Sequence, residues 1–396
     1  MRSGELELRR VRSRRELRQF VALPSRLHRG EPCWIPPLAF ERRAFLDRTR
    51  NPFFEHAEAE YVLAWRAERP VGRISAHVDF RLNELRGTSW GLFGFFECEP
   101  DEQAALALLA EAERWLCAMG CDRMVGPLDF TLNHEAGLLV EGHERPPQIL
   151  EPWHPPRYAG LLESHGLTKA MDLLKWELDV SDRRRILPVI LELAERLEPE
   201  HGIRIRHFRP RELRAETRRF LDVYNTAWRD HWGFVPLTEA ETDDYARRLR
   251  PVLDPNWVML AENRDGETVG AALTLPDYNQ VLRRVGGRMF PFGWARALAA
   301  RRRIDAVRVF ALGVRPEYQH TGVAAALYVK HFDMAERTPQ RGGEMGWVLE
   351  TNAAMNRAME ALGGRLVKRH RVYEKRLSPR CGQVDSGAYE RASGHP

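Results

Sequence analysis

The residues best suited to chemistry lie in one short glycine-containing segment, residues 319–325. An apolar, β-branched run at 307–314 precedes the segment and predicts a buried strand, and a helical pattern follows from 324 to 335. A turn between a strand and a helix start favours phosphate, because the first helical N–H groups are unpaired and the helix dipole attracts negative charge. Gly322 would let the backbone approach such a ligand without an intervening Cβ. The segment therefore predicts an anion site of the kind that holds a diphosphate.

The elements after this segment extend the pattern to the end of the chain. Residues 346–350 predict the next strand, Asn352 and Asn356 open another helix, and residues 366–375 predict a last strand. The order Gln-x-x-Gly-x-Ala at Gln319 resembles the acyl-CoA pyrophosphate loop of the GNAT acyltransferase superfamily. The element order around it is similar to the carboxyl-terminal half of these enzymes.

The resemblance implies that acyl-CoA is held largely by backbone amides. It implies a set of donor-binding residues on the strand, the loop and the two following helices: Leu312, Val314, Gln319, Thr321, Gly322, Val323, Ala324, Ala325, Asn352 and Asn356. In this superfamily the strand before the loop splays away from its neighbour. The resemblance therefore implies an N–H near Val314 that polarises the thioester carbonyl, with no metal ion required.

Acyl transfer to an amine also needs groups that accept and donate protons. Many GNAT enzymes keep a tyrosine general acid where this chain has Met359, so the usual acid is absent and Tyr373 is either a substitute or a packing residue. Glu350, Asp230 and His231 are the candidate bases, acting directly or through water. A carboxylate at the end of a strand is more often a solvated or capping group, which leaves the choice open.

The first half of the chain repeats the same order of elements. It has a strand at 6–11, a hairpin of strands at 60–65 and 71–78, a long apolar strand at 90–96 and an amphipathic helix at 101–119. We interpret this repetition as two copies of one fold.

The two copies differ at the start of the long helix. Residues 97–103 of the first copy contain no glycine and carry four acidic side chains. Carboxylates at a helix N-terminus would repel a pyrophosphate. We therefore expect the amino-terminal copy to bind no CoA.

Candidate acceptor residues fall into three groups. Asp230, His231 and Trp232 occupy the loop that borders the acceptor site in GNAT folds, so position alone selects them. Asn133, Glu135 and Tyr158 lie in a polar and proline-rich stretch that forms either a substrate wall or a rigid crossover between the domains. Phe290, Phe292 and Trp294 lie in an insertion at 277–304; they line an acyl pocket, sit at a bilayer interface, or cap the second core.

These patterns predict an α/β (α+β) protein of two tandem GNAT-like domains, each with a mixed, mostly antiparallel sheet flanked by helices. We expect a degenerate domain at 1–180, a linker helix at 181–200, a catalytic domain at 201–377 and a disordered tail at 378–396.

Composition restricts the function further. The chain has 396 residues and a formal charge of +5, without the basic blocks typical of nucleic-acid binding. Its five cysteines are scattered with no C-x-x-C pair, which favours a reducing cytoplasm over a disulfide framework or zinc site. No stretch reaches the roughly 18 apolar residues of a membrane span. We expect a cytoplasmic protein, either fully dissolved or in peripheral contact with the inner face of the membrane. The sequence does not indicate an oligomeric state.

Short runs along the whole chain resemble one particular group within this superfamily. Those that begin at Gly94, Gly137, Phe290 and Arg308 are similar to a group of two-domain bacterial GNAT-like proteins associated with the bacterial ceramide synthases. This implies acyl-CoA-dependent acylation of a hydrophobic amine such as a sphingoid base. Two alternatives stay open: acetyl or aminoacyl transfer to a polar amine, and a CoA-binding protein without turnover, which the missing tyrosine at Met359 would favour.

Overall fold

The computed structural model describes residues 4–287 and 292–378. Within these residues the strands are β1 (Leu6–Arg10), β2 (Ala57–Arg66), β3 (Arg69–Asp79), β4 (Trp90–Cys98), β5 (Arg123–Gly126), β6 (Leu138–Glu141), β7 (Thr168–Asp179), β8 (Arg204–His207), β9 (Val258–Glu262), β10 (Thr268–Pro276), β11 (Ala306–Val314), β12 (Gly342–Leu349) and β13 (Arg365–Arg376). The helices are α1 (Arg14–Leu27), α2 (Ala39–Phe45), α3 (Phe80–Arg86), α4 (Glu102–Ala118), α5 (Arg157–Ser164), α6 (Pro188–His201), α7 (Leu213–Ala227), α8 (Glu239–Leu249), α9 (Asn279–Val285), α10 (Gly293–Arg301), α11 (Val323–Arg337) and α12 (Ala353–Ala361).

All strands belong to one continuous sheet with the order β1-β2-β3-β4-β5-β13-β7-β12-β11-β10-β9-β8, and β6 pairs with β13 beside this path. Most neighbours are antiparallel; β4 with β5 and β11 with β12 are the parallel pairs. The order is symmetric, because each half contributes the same succession of strands from one edge to the centre. The predicted fold class, two tandem GNAT-like units in a mixed, mostly antiparallel sheet with flanking helices, is confirmed.

The centre of the sheet joins the halves by exchanging their last strands. β13, from the end of the chain, lies between β5 and β7 of the first half. β7, the last strand of the first half, in turn lies between β13 and β12. The sheet of each half is therefore completed by a strand from the other half.

Each half packs a long helix onto its part of the sheet. In the first half, Asp101 caps α4 by accepting a hydrogen bond from Ala104 N–H, and the apolar face of the helix buries Leu108 and Leu109 against β3 and β4. In the second half, α11 buries residues such as Phe332 in a separate core. The long amphipathic helices are thus the elements that sequence periodicity predicts best.

A buried charged cluster crosses the joint between the halves. The Lys368 ammonium on β13 donates to both Glu344 carboxylate oxygens on β12, at 2.8 and 2.9 Å, and to Glu151 at 3.3 Å. Lys175 on β7 lies 4.0 Å from Glu151, and its side chain is also fully buried. Burial would be costly for any of these charges alone, so they depend on one another across the exchanged strands.

Several short elements were not predicted from the sequence. They include α2, α3, β6 and α8, together with α9 and α10, which fold the described parts of the insertion at 277–304 into helices. Helix α8 begins at a capping box formed by Thr238 and Glu241. It contains few apolar residues, so its sequence shows no clear helical periodicity. No helix of the described residues is long and apolar enough to cross a membrane. Phe290 lies outside the described residues, as does the predicted tail at 378–396 from residue 379 onward.

Candidate active site

A cleft opens where β11 and β12 stop pairing. Their parallel register ends at Val309 opposite Met345, although β11 continues to Val314 and β12 to Leu349. The cleft has a volume of about 100 Å³. Its walls come from α7, from the loop that follows α7, and from the free strand ends: Tyr224, Trp228, His231, Trp232, Leu312 and Trp347.

Backbone direction places N–H groups in this cleft. Arg315 N–H donates to Val269 O on the β10 side at 2.9 Å, and amides alternate in direction along a strand. The N–H groups of Val314 and Leu312 therefore point toward the separated β12 side. Leu312 lines the cleft itself, whereas Val314 lies between the cleft and the 319–325 loop with its side chain in the core.

The loop after α7 brings one ionisable side chain into the cleft. Arg86 of the first half fixes this loop by donating to the carbonyls of His231 and Phe234, both at 2.7 Å. Trp232 packs against Trp90 with ring centroids 5.6 Å apart. Burial lowers the pKa of His231, so its imidazole is neutral at neutral pH.

The 319–325 segment forms the start of α11. Gly322 is the N-cap with φ of 89°, and the first helical bond runs from Ala326 N–H to Gly322 O. The N–H groups of residues 322–325 donate to no backbone carbonyl among the described residues. Gln319 is exposed, Ala324 is partly exposed, and Thr321 donates its hydroxyl to Tyr318 O, while Val323 and Ala325 are buried. Unpaired amides at a left-handed glycine fit a diphosphate by backbone alone.

Helix α6 packs beside this loop. A Cβ at Gly322 would lie 2.9 Å from Leu193 O of α6. The approach of the two backbones therefore requires a glycine, for reasons of space as well as of φ. The helix between the halves thus forms one wall of the candidate donor site.

Other predicted site residues make structural contacts instead. Asn352 caps α12 by accepting from Met355 N–H, and Asn356 donates to Leu349 O and accepts from Trp176 Nε1. Glu350 accepts from Lys169 Nζ at 2.6 Å and from Asp172 N–H at 3.0 Å. Their polar atoms are thus engaged away from the cleft. Asp230 is exposed and does not line the cleft.

Tyr373 lies far from the cleft in the fold. Its ring belongs to the core of the first half, and its hydroxyl donates to Glu163 at 3.1 Å. Burial is the first of the causes that raise the pKa of Tyr373 to about 12. Of the two roles considered for this residue, its surroundings favour packing. The reason is the exchange of β13, which carries Tyr373 into the other half.

In the first half, the position that corresponds to the cleft is filled by the backbone that follows β5. The pairing of β4 with β5 ends at Leu92 opposite Val125, and the chain then folds back into the gap. Leu128 N–H donates to Phe93 O at 2.7 Å, and Phe95 N–H donates to the Asp129 carboxylate at 2.8 Å. A Cβ at Gly94 would clash with Leu128 O. This strand end is therefore filled, and the Asp101 carboxylate occupies the start of α4.

A much larger cavity, of about 610 Å³, lies between the halves. Its walls are mainly apolar, from α1, α2, α8, α9 and α10, and its floor is charged. Arg42 contacts Glu135 on the floor and lies 3.8 Å from Asp129. Burial, with the negative charge of Glu135 added, raises the pKa of Asp129. Arg73 and Glu97 line the same floor. The volume lies within the roughly 300–1,000 Å³ typical of small-molecule sites.

A small apolar pocket of about 50 Å³ separates the cleft from the large cavity. Tyr224 and Phe310 line both the cleft and this pocket. Asn133, Tyr245 and Leu249 line both this pocket and the large cavity. The Tyr224 hydroxyl donates to Asn133 Oδ1 at 2.8 Å, and the Tyr245 hydroxyl donates to Asn133 O. Single side chains thus separate three consecutive spaces.

The remaining predicted acceptor residues are distributed around this cavity. Glu135 and Trp294 line it, and Asn133 lies at its junction with the small pocket. Tyr158 lies in the core of the first half, where its hydroxyl donates to Glu97 at 2.9 Å. Phe292 is exposed beside α10. The structure therefore brings His231 and Trp232 together with the free strand ends, and Asn133, Glu135 and Trp294 around the large cavity.

Arg42, Asp129 and Tyr245 were missed by sequence reasoning. They lie on elements that sequence patterns revealed poorly, and no local motif links them. The Asp-Phe pair that begins at Asp129, directly after a strand and turn, was the one available signal, since a carboxylate there can accept from a free strand N–H. Among the described residues no group of three or more His, Cys, Asp or Glu is arranged to hold a metal ion.

Comparison with known proteins identifies relatives over nearly the whole chain, although no family model matches it. It is 36% identical over 383 residues to a bacterial ceramide synthase of Caulobacter vibrioides, covering 95% of this chain and 98% of that protein. It is 33% identical over 372 residues to the protein YghO of Escherichia coli strain K12, covering 92% and 94% of the two chains.

Solved structures support the same fold. A tandem GNAT protein from the clavulanic acid biosynthesis pathway superposes with a TM-score of 0.57 at 14% identity, covering 95% of this chain and 99% of that one. A GCN5-related N-acetyltransferase of Sphaerobacter thermophilus superposes with a TM-score of 0.52 at 15% identity, covering 94% and 96%. The chain is therefore a GNAT-type N-acyltransferase and belongs to one family with the Caulobacter ceramide synthase and YghO.

Proposed function

We propose that this N-acyltransferase moves an acyl group from an acyl-CoA thioester to the amine of a long-chain amphiphile such as a sphingoid base. One observation carries the proposal: only single side chains separate the cleft at the free ends of β11 and β12 from an apolar pocket, and that pocket from a cavity of about 610 Å³ with mainly apolar walls. Alkyl chains fit such a series of spaces, whereas a small polar amine would leave most of it unused. The name of the Caulobacter relative supports the same class of acceptor.

The donor is proposed to bind to the second half. The amides of residues 322–325 would hold the diphosphate, and the thioester would enter the cleft beside the N–H of Leu312 and Val314. The first half offers no equivalent, because its strand end is filled by residues 128–130 and Asp101 caps its helix.

The chemistry then requires only groups on the cleft wall and at the adjacent end of β11. The amine nitrogen forms a bond to the thioester carbonyl carbon, and the Leu312 or Val314 N–H stabilises the resulting oxyanion. Neutral His231 accepts the proton that the amine loses, directly or through water. Collapse breaks the C–S bond and releases the CoA thiolate, which takes up a proton, so an amide and a thiol are the products.

The cytoplasm is the proposed place of this reaction. Acyl-CoA would be available there, and none of the four described cysteines, Cys33, Cys98, Cys117 and Cys121, is part of a disulfide. No part of the proposed reaction uses a metal ion.

Mass spectrometry of reaction products tests the proposal. Purified protein is incubated with palmitoyl-CoA and either sphinganine or an amino diol without the alkyl chain, and the amide product and free thiol are quantified. We expect amide formation from sphinganine at a much higher kcat/KM than from the short amine. Equal use of the short amine, or preference for acetyl-CoA with a polar amine, would contradict the proposal, and thioester binding without any amide would favour a non-catalytic CoA-binding protein.

A pair of variants makes this test specific to the cavity. Leu249→Trp fills the junction between the small pocket and the large cavity and should lower kcat/KM for sphinganine at least tenfold. Leu85→Trp is the control, because Leu85 is an exposed residue on α3 that lines none of the three spaces. Equal effects of the two variants would remove the large cavity from the proposed function.

A further inference from the structure

The mouth of the large cavity is apolar on the outside as well as on the inside. Phe40 of α2 and Trp294 and Leu298 of α10 line the cavity, yet they are 54%, 55% and 61% exposed. Phe292, directly before α10, is 73% exposed. Clusters of large apolar side chains with this degree of solvent exposure are unusual on a protein surface, and such a cluster marks an interaction surface.

The charge on the α9 and α10 side of this mouth has one sign. Residues 278–304 contain seven arginines and no aspartate or glutamate. Five of the exposed members, Arg283, Arg284, Arg296, Arg302 and Arg303, form no ion pair with any described carboxylate. Elsewhere on the surface, exposed arginines such as Arg196 and Arg204 pair with a nearby glutamate. At the mouth, no described carboxylate compensates the charge of these five arginines.

We propose that this mouth face docks on the surface of an anionic phospholipid bilayer and that the cavity takes its long-chain ligand from that surface. The mouth face consists of Phe40, Phe292, Trp294 and Leu298 with the arginines Arg283, Arg284, Arg296, Arg302 and Arg303. Aromatic and aliphatic side chains enter the boundary between headgroups and acyl chains, and arginines bind the phosphates around them. Free arginines without acidic partners fit an anionic lipid surface better than they fit a second copy of the same positive face.

The position of the apolar residues explains why docking would matter. Trp294 and Leu298 lie one turn apart on α10, so they share one side of that helix, and both border the cavity as well as solvent. An alkyl chain that moved from a bilayer into the cavity would pass along these side chains without crossing water. The cost of exposing the chain to water would then be avoided.

Vesicle flotation tests the docking without any acyl-CoA. The full-length protein is mixed with vesicles of phosphatidylcholine alone or of phosphatidylcholine with phosphatidylglycerol, and the bound fraction is measured at low and high salt. We expect binding to the anionic vesicles that weakens as salt is raised. Equal binding to both vesicle types, or no binding to either, would overturn the proposal.

Charge-reversed variants locate the contact. The triple variant R296E/R302E/R303E should partition onto anionic vesicles at least about a hundredfold more weakly, since each arginine near such a surface contributes roughly a factor of five. The control R14E/R15E/R357E changes the net charge by the same amount at exposed arginines that line none of the three spaces, and it should retain most of the binding. Loss of binding in both variants would mean a general charge effect and would refute a specific docking face.

Sedimentation of the protein without lipid tests whether a second copy of the chain, rather than a bilayer, binds the mouth face. If the mouth face instead joins two copies of the chain, the wild-type protein will be a dimer and the triple variant a monomer, and the bilayer proposal fails. Acyl transfer is also measured on the same variants with a short-chain amine that stays dissolved as single molecules. Loss of vesicle binding with transfer retained would refute only the docking, and loss of transfer with vesicle binding retained would refute only the proposed function.

Discussion

Two ionisable side chains, Tyr224 and His231, line the cleft, and their surroundings give them different roles. Burial raises the pKa of Tyr224 far above neutrality, so its hydroxyl keeps its proton. Burial lowers the pKa of His231, so its imidazole is free to accept one. The other candidate bases are excluded by position: Glu350 is held by Lys169 and by a backbone amide, and Asp230 faces solvent. At the scale of residues, then, His231 is the side chain suited to accept the amine proton.

We predict that His231→Gln lowers kcat/KM about 100- to 10,000-fold with little change in stability, as is typical when a general base is removed. Because burial disfavours the imidazolium, the base stays neutral until the pH falls below the ordinary histidine pKa of about 6.5. The acidic limb of the wild-type pH profile should therefore lie below about pH 6.5, and the variant should lose that limb.

Initial rates across a pH series with the same acyl-CoA and amine check this prediction. His201→Gln is the control, because His201 is an exposed histidine at the end of α6. A variant at His231 that kept both its rate and its acidic limb would show that another group accepts the proton.

At the scale of elements, the candidate donor site depends on how α6 meets the start of α11. The two helices pack together, and Leu193 O lies where a Cβ at Gly322 would go. The same glycine has φ of 89° and opens the helix whose first amides are free. A change at this one position should therefore disturb both the helix contact and the diphosphate site.

We predict that Gly322→Ala raises the KM for acyl-CoA at least tenfold and lowers stability by about 1–2 kcal/mol, because a left-handed residue with a Cβ is strained and the Cβ meets Leu193. Gly363→Ala is a matched control: Gly363 also has a positive φ, of 73°, but nothing lies within 4 Å of its Cβ position. Steady-state kinetics and thermal unfolding measure the two effects. Gly322→Ala with an unchanged KM would place the diphosphate elsewhere.

At the scale of the whole molecule, the two copies of the fold cannot be separated by a cut between them. β13 fills the gap between β5 and β7, and β7 fills the gap between β13 and β12. The buried ammonium of Lys368 pairs with Glu344 and Glu151 across the same joint. The predicted division at 1–180, 181–200 and 201–377 is therefore a division of sequence, and its boundaries stay a prediction.

We predict that residues 1–202 and residues 203–396, expressed separately, each fail to form a stable monomer. In the first fragment β5, β6 and β7 each lose a partner strand, in the second β12 and β13 do, and both fragments deprive buried charges of a partner. Coexpression should restore a soluble complex. Circular dichroism, thermal unfolding and sedimentation check both outcomes. A cooperative, monomeric first fragment would show that exchange of the last strands is not required for folding.

The sequence by itself determined the order of the elements, the two-copy fold, the glycine turn before α11 and its absence before α4. These features follow from local patterns, since amphipathic periods, turn residues and helix caps act over a few neighbouring residues. The tertiary structure alone decided which candidates share a site. Tyr373 is bound to Glu163, 210 residues away, and Glu350 to Lys169, 181 residues away, so no local pattern could place them. The large cavity, its charged floor and its exposed mouth arise in the same way, because they form only where surfaces from both halves meet.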